Sequence, residues 1–104
     1  MSVLVALADL PARLAEFDRG YLLTSKEGLV KAVSVRAVPA DGALRIAAPG
    51  RGSVANVGAN PAVTLLFPPL ADPGMSLLVD GTGAADGDDV VVTPTGAVLH
   101  RPVS

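Results

Sequence analysis

The chain has 104 residues, half of them hydrophobic and 17% charged, with three aromatic side chains, no cysteine, one histidine and a formal net charge of −2. That composition excludes a disordered chain, a disulfide framework, a thiolate or multi-histidine metal centre, and an aromatic platform for single-stranded nucleic acid. The cations are also badly distributed for a nucleic-acid backbone: residues 1–51 hold seven of the eight Lys and Arg, and residues 52–100 hold none beside five Asp.

In chain order, "LADLPARLAEFDRG" predicts one short N-terminal helix. Asp9 is placed to cap it, Pro11 suits its first turn, Leu10, Leu14 and Phe17 recur at helical spacing, and Gly20 ends it. Strand patterns follow. "YLLTS" (21–25) and the long Val-rich run "LVKAVSVRAVP" (29–39) are separated by a turn at "KEG". "ALRIAA" (43–48) then returns antiparallel after "ADG". "SVANVGAN" predicts about two helical turns, with Ser53 as N-cap and Asn60-Pro61 as the stop. "AVTLLF" (62–67) is apolar on both faces, as in a central strand. "MSLLVDGTGAA" (75–85), "DVVVT" (89–93) and "GAVLHR" (96–101) form a closing meander with turns at "DGD" and "PT". No linker or repeat divides the chain. Six or seven antiparallel strands, with an N-terminal helix and a short helix between strands, predict a mainly β, closed or partly closed barrel over residues 1–104.

The candidate site residues lie in the middle of the chain. Arg51 sits between two glycines just ahead of the short helix. Flexible backbone, helix N–H donors, the Ser53 hydroxyl and a forked guanidinium together suit an anion, phosphate above all. The competing reading is a turn whose arginine points into water. Arg36 falls on the strand face of Val30, Ala32, Ser34 and Val38, while Lys31 falls on the other face with Val33 and Val35. A charge on an apolar face must reach solvent, meet a ligand or find an ion-pair partner, for which Asp80 is a candidate. Asn56 lies about one turn into the helix. Asp86, Asp88 and Asp89 crowd a turn and read as solvated, and His100 reads as structural. No self-sufficient catalytic set is present, so any redox chemistry would have to come from a cofactor.

The order of "GYLLTS", "AVSVRAV", "DGALRIAAPGRGSVANVGANPAVTLLFPP" and "SLLVDGTG…VVVTPTGAVLHRP" resembles the pyridoxamine 5′-phosphate oxidase-like family, the FMN-binding split β-barrels. The resemblance covers nearly the whole chain. It implies a homodimer with FMN in clefts between subunits, or in some relatives the deazaflavin F420 or haem. It also implies flavin contact at Arg36 and a phosphate grip at Arg51, Gly52 and Ser53; Asn56, a residue type more often solvated than ligating, completes an expected cofactor set of Arg36, Arg51, Ser53 and Asn56. Full oxidases carry adjacent basic residues before the helix and a Thr on the preceding strand, where this chain has Gly52, Ser53 and Ala47. A charge-assisted hydrogen bond is worth roughly 1.5–3 kcal/mol. One cation in place of two should therefore weaken FMN binding by about one to two decades.

The C-terminal extension that binds pyridoxamine phosphate in true oxidases is lacking, so that activity is not expected. Two functions remain open. One is an FMN- or F420-dependent oxidoreductase of unknown substrate. The other is a non-catalytic dimeric barrel that has lost tight flavin binding. A dimer is also expected from composition, since a mean hydropathy of +0.50 leaves a small monomer with apolar faces to cover. The start lacks a basic leader and no apolar run nears the roughly 20 residues of a membrane span. A cytoplasmic location is expected.

Overall fold

A computed structural model describes residues 2–102. Its strands are β1 (Ser2–Leu4), β2 (Gly20–Lys26), β3 (Leu29–Val35), β4 (Val38–Ala40), β5 (Ala43–Ile46), β6 (Ala62–Phe67), β7 (Ser76–Asp86) and β8 (Asp89–His100). Two helices accompany them, α1 (Leu10–Leu14) and α2 (Arg51–Ala59). The strands form one antiparallel sheet in the order β3-β2-β6-β7-β8-β5-β4, with β1 also paired to β8. The two ends of that order, β3 and β4, are consecutive in sequence and only Arg36 and Ala37 lie between them. The chain therefore steps from one sheet edge to the other, and the sheet must curl into a barrel closed by the chain and not by a ladder. This is a mainly β split barrel.

Alternation decides what goes inside. Leu22 and Thr24 of β2, Leu44 and Ile46 of β5, Leu65 and Phe67 of β6, Leu77 and Val79 of β7, and Val90 and Val92 of β8 are all buried. Two tight hairpins set the register. Glu27-Gly28 and Asp41-Gly42 all have positive φ (53°, 80°, 50° and 79°), the conformation a two-residue turn between twisted strands requires. In β8 the buried set changes phase, from Val90 and Val92 to Ala97. The change coincides with a bulge: Asp80 pairs with Gly96 and Gly81 with Pro94, leaving Thr95 unpaired. The extra residue keeps both halves of the strand facing the core. The predicted turn at Pro94-Thr95 is thus a bulge within one continuous strand.

Other elements also differ from expectation. The N-terminal helix is a 3₁₀ turn (Leu7–Asp9) followed by five α-helical residues, and Asp9 makes no capping hydrogen bond. Leu10 and Leu14 are buried as the spacing required. The run 29–39 breaks at Arg36-Ala37, because its two halves pair with different partners, β2 and β5. β1 has no counterpart in the sequence reading.

Gly20 does not stop the helix; it opens β2, at a point of close approach. A β-carbon there would run into the Phe67 ring and the Leu66 carbonyl. Phe67 in turn meets Phe17 with ring centroids 6.4 Å apart. Gly20→Ala should therefore cost about 1–3 kcal/mol, the usual range for overpacking. Gly58→Ala, in α2 with open space at the β-carbon, should instead stabilise by about 0.5–1 kcal/mol through helix propensity. Urea unfolding of the two variants checks the contrast, and equal midpoints would contradict it.

Candidate functional site: the N-terminus of the second helix

The segment Ala47–Gly50 leaves β5 and turns into α2. Ala48 has φ +41° and Gly50 φ +110°. The left-handed conformation costs a non-glycine residue such as Ala48 roughly 1–2 kcal/mol. Gly50 turns the chain, and the first helical bond runs from Val54 N to Gly50 O at 3.1 Å. The N–H groups of Arg51, Gly52 and Ser53 therefore have no acceptor within the helix. Ser53 is not the N-cap. The glycine reverses the chain three residues earlier, so Ser53 sits inside the first turn, where it is buried and its Oγ has no hydrogen-bond partner.

A second cation completes this end of the helix. A β-carbon on Gly52 would collide with the Lys31 ammonium, so Lys31 reaches across the first turn of α2. Lys31 lines a cavity of about 300 Å³ with Lys26, Glu27, Leu29, Val30 and Asn56, apart from the one that Arg51 borders. Lys31 gets there because it pairs with Thr24 on the barrel-facing side of β3, in phase with Val33 and Val35. Arg51 is exposed and lines a cavity of about 400 Å³ with Ala48, Gly50, Val54, Ala55 and Asp88. Arg51, three free amides and the unpartnered Ser53 hydroxyl share the first turn of α2, with the Lys31 ammonium packed against Gly52, and that set fits an anionic group of phosphate size.

Arg36 lies elsewhere. Because β3 ends at Val35, Arg36 falls on the crossing segment, exposed, and it pairs with Asp18 at 2.5 Å and not with Asp80. Asp80 accepts a hydrogen bond from Thr64 Oγ1 at 2.7 Å. Arg36 lines a separate cavity of about 540 Å³ with Arg19, Ser34 and Arg45. This cavity and that of Arg51 share Ala48 as a wall, so the two predicted arginines border adjoining clefts. Asn56 donates to Thr24 Oγ1 (3.1 Å) and Asn60 to Ser25 Oγ (2.9 Å), two rungs that fasten α2 to β2. Thr24 is buried, so the first rung satisfies a polar group the barrel would otherwise strand.

The acidic turn between β7 and β8 is engaged as well. Arg45 donates from Nη1 to Asp89 (2.9 Å) and from Nη2 to Asp86 (2.6 Å). The Ala48 amide donates to the other Asp89 oxygen at 3.0 Å. That amide first, and Arg45 second, hold the Asp89 carboxyl below its ordinary value. These carboxylates are not merely solvated, as the sequence suggested, and the pairing partners lie too far away in the chain to be foreseen. His100 Nδ1 meets Ser2 Oγ at 3.1 Å, a structural contact. Among the described residues no cluster of three His, Cys, Asp or Glu could hold a metal, and no helix is long and apolar enough to cross a membrane.

No family model matches the sequence, and no curated protein matches it either. Solved structures do match in shape. An FAD-binding protein of Mesorhizobium loti superposes with a TM-score of 0.73 at 15% identity, over 99% of this chain and 98% of that one. A protein of Corynebacterium glutamicum provisionally identified as a pyridoxamine 5′-phosphate oxidase gives 0.70 at 13% identity, over 99% and 96%. An F420 reductase gives 0.67 at 20% identity, over 82% and 93%. At these identities the likeness is one of architecture: the chain has the split-barrel fold of the pyridoxamine 5′-phosphate oxidase-like proteins.

Proposed function

We propose that the protein is a small dimeric flavoprotein that holds the phosphate of FMN, or of the deazaflavin F420, at the N-terminus of α2 and serves an oxidoreductase reaction on an unidentified substrate. The observation that carries this reading is the placement of Lys31 and Arg51 beside three free helix amides. The names of the neighbours, FAD-binding protein and F420 reductase, support a cofactor of the same kind. When bound, such a cofactor supplies the electron transfer, and the chain supplies charge and position. Arg51 and Lys31 would balance the phosphate charge and the amides of Arg51 to Ser53 would orient its oxygens. Arg36, across Ala48, would face the more distant part of the cofactor or the substrate.

A rival reading is a non-catalytic binding barrel. It is favoured by Asp88, which lines the Arg51 cavity and opposes an anion there. Cofactor-dependent reduction of an artificial electron acceptor separates the two, since the binding module shows none at any flavin concentration.

Dimerisation is proposed on the outer face of the sheet. Tyr21, Leu66, Leu78, Val98 and Leu4 stand side by side on adjacent strands as one apolar row. Leu4 is 86% exposed and Tyr21 43%. A second copy would cover such a row for both chains at once. Light scattering at micromolar protein should report a dimer, and Leu78→Asp should report a folded monomer by the same measurement and circular dichroism. A monomeric parent would overturn the proposal.

For the cofactor, fluorescence titration with FMN should show Arg51→Ala and Lys31→Ala each losing about tenfold in affinity, near 1.4 kcal/mol apiece. The double variant should lose about a hundredfold. Losses that add in this way are those of two cations acting independently on the phosphate. Stability should move by under about 0.5 kcal/mol in either single variant, as usual for exposed positions. Arg36→Ala should also unfold near the parent's midpoint, because an exposed ion pair is worth at most about 1 kcal/mol. Undiminished flavin affinity in the double variant would remove the phosphate role.

A further inference from the structure

The turn that presents the α2 amides is held in shape from outside the site. Ala48 carries a left-handed φ of +41° without being glycine. Nothing in the sequence from Ala47 to Gly50 supplies a side-chain hydrogen bond that would keep it there, since the four residues are Ala, Ala, Pro and Gly. The restraint is the Ala48 amide's bond to Asp89 Oδ1 at 3.0 Å. Asp89 is itself fixed through Oδ2 by Arg45 Nη1, and Arg45 is fixed on its other side by Asp86. Because β8 pairs with β5 up to Val90 opposite Ile46, Asp89 stands beside the chain as it leaves β5 and grips the turn two residues ahead of Gly50. Asp88, next in the chain, borders the Arg51 cavity.

We infer that Asp89 is a positioning residue for the anion site: its carboxylate holds Ala48 in the left-handed conformation that aims the first turn of α2. The inference rests on the phosphate-binding reading above. It adds a residue 38 positions from Arg51 that touches no ligand. Asp89 accepts two bonds, and only the one to Ala48 acts on the turn. The charged groups around Asp89 are Arg45 from β5, Asp86 across the hairpin and Asp88 beside it. Removing Asp86 leaves the Ala48 bond in place, whereas removing Asp89 frees the turn.

The test is a set of variants titrated with FMN and followed by amide hydrogen exchange without ligand. Asp89→Ala should weaken FMN binding about tenfold and speed exchange at Ala48. Asp86→Ala should stay within twofold of the parent in both. Asp89→Asn keeps an acceptor for the Ala48 amide and should fall between. Ala48→Gly relieves the left-handed penalty. Added to Asp89→Ala, it should recover at least threefold of the lost affinity, a rescue that general destabilisation would not produce. Equal FMN affinity in parent and Asp89→Ala, or no recovery in the double variant, overturns the inference. A parent that binds neither FMN nor F420 overturns the phosphate-binding reading instead. In that event unchanged exchange at Ala48 in Asp89→Ala would overturn the restraint as well.

Discussion

Between Val35 and Val38 the chain has only three residue steps, which span at most about 10 Å. Over that distance it must pass from β3, at one edge of the sheet, to β4 at the other. A flat sheet of this order would hold those edges many strand widths apart, at about 4.8 Å per strand. Curling is therefore forced by the connection, and the inward side chains of β2, β5, β6, β7 and β8 then meet in one core. A curled sheet has an open end, and α2 covers it. Val57 is buried against the strands, next to Gly83, where a β-carbon would stand 3.2 Å from the Val57 methyl. The helix start, with its free amides, is presented at the rim as a result of that docking.

Much of this was legible in the residues. Apolar and Val-rich runs marked the strands, and Glu27-Gly28 and Asp41-Gly42 marked the hairpins, because strand composition and turn chemistry are local. Long-range decisions were not legible. Alternation runs unbroken through Arg36, so nothing in the sequence shows the change of partner. Pro94 and Thr95 look like a turn, and only pairing with Asp80 and Gly81 makes them a bulge. β1 exists because residues 98–100 of β8 offer it an edge. The site divides the same way. Arg51 at a helix start was visible from glycines and spacing. Lys31 could be assigned to the face of Val33 and Val35 but not to the site, because its destination depends on where α2 docks. Asp89 depends on a hairpin whose reach no local pattern encodes.

The charges at the helix start conflict with one another while no anion is bound. The N-terminal end of a helix carries about half a positive charge, and Arg51 and Lys31 add to it. Burying Ser53 Oγ without a partner adds a further cost. An arrangement that is locally unfavourable in the free protein and favourable around an anion couples occupancy to folding. Any ligand that binds only the folded chain stabilises it in proportion to the logarithm of its concentration over Kd. The site therefore sacrifices some stability of the empty barrel.

The seam of the split barrel has a bearing on solubility. Among the described residues β3 and β4 each keep one edge without a ladder partner, and bare strand edges recruit other chains. β4 is guarded by its length of three residues and by Pro39, which has no N–H to offer a neighbour. β3 is longer, with Leu29 and Val30 at its open end 76% and 69% exposed. Its one charge is Lys31, the kind of residue that keeps a strand edge from templating another. On the proposed reading one lysine serves two unrelated ends, anion capture at the helix and gatekeeping against edge-to-edge polymerisation. Evolution could discard the first role and still be compelled to keep a charge at this position.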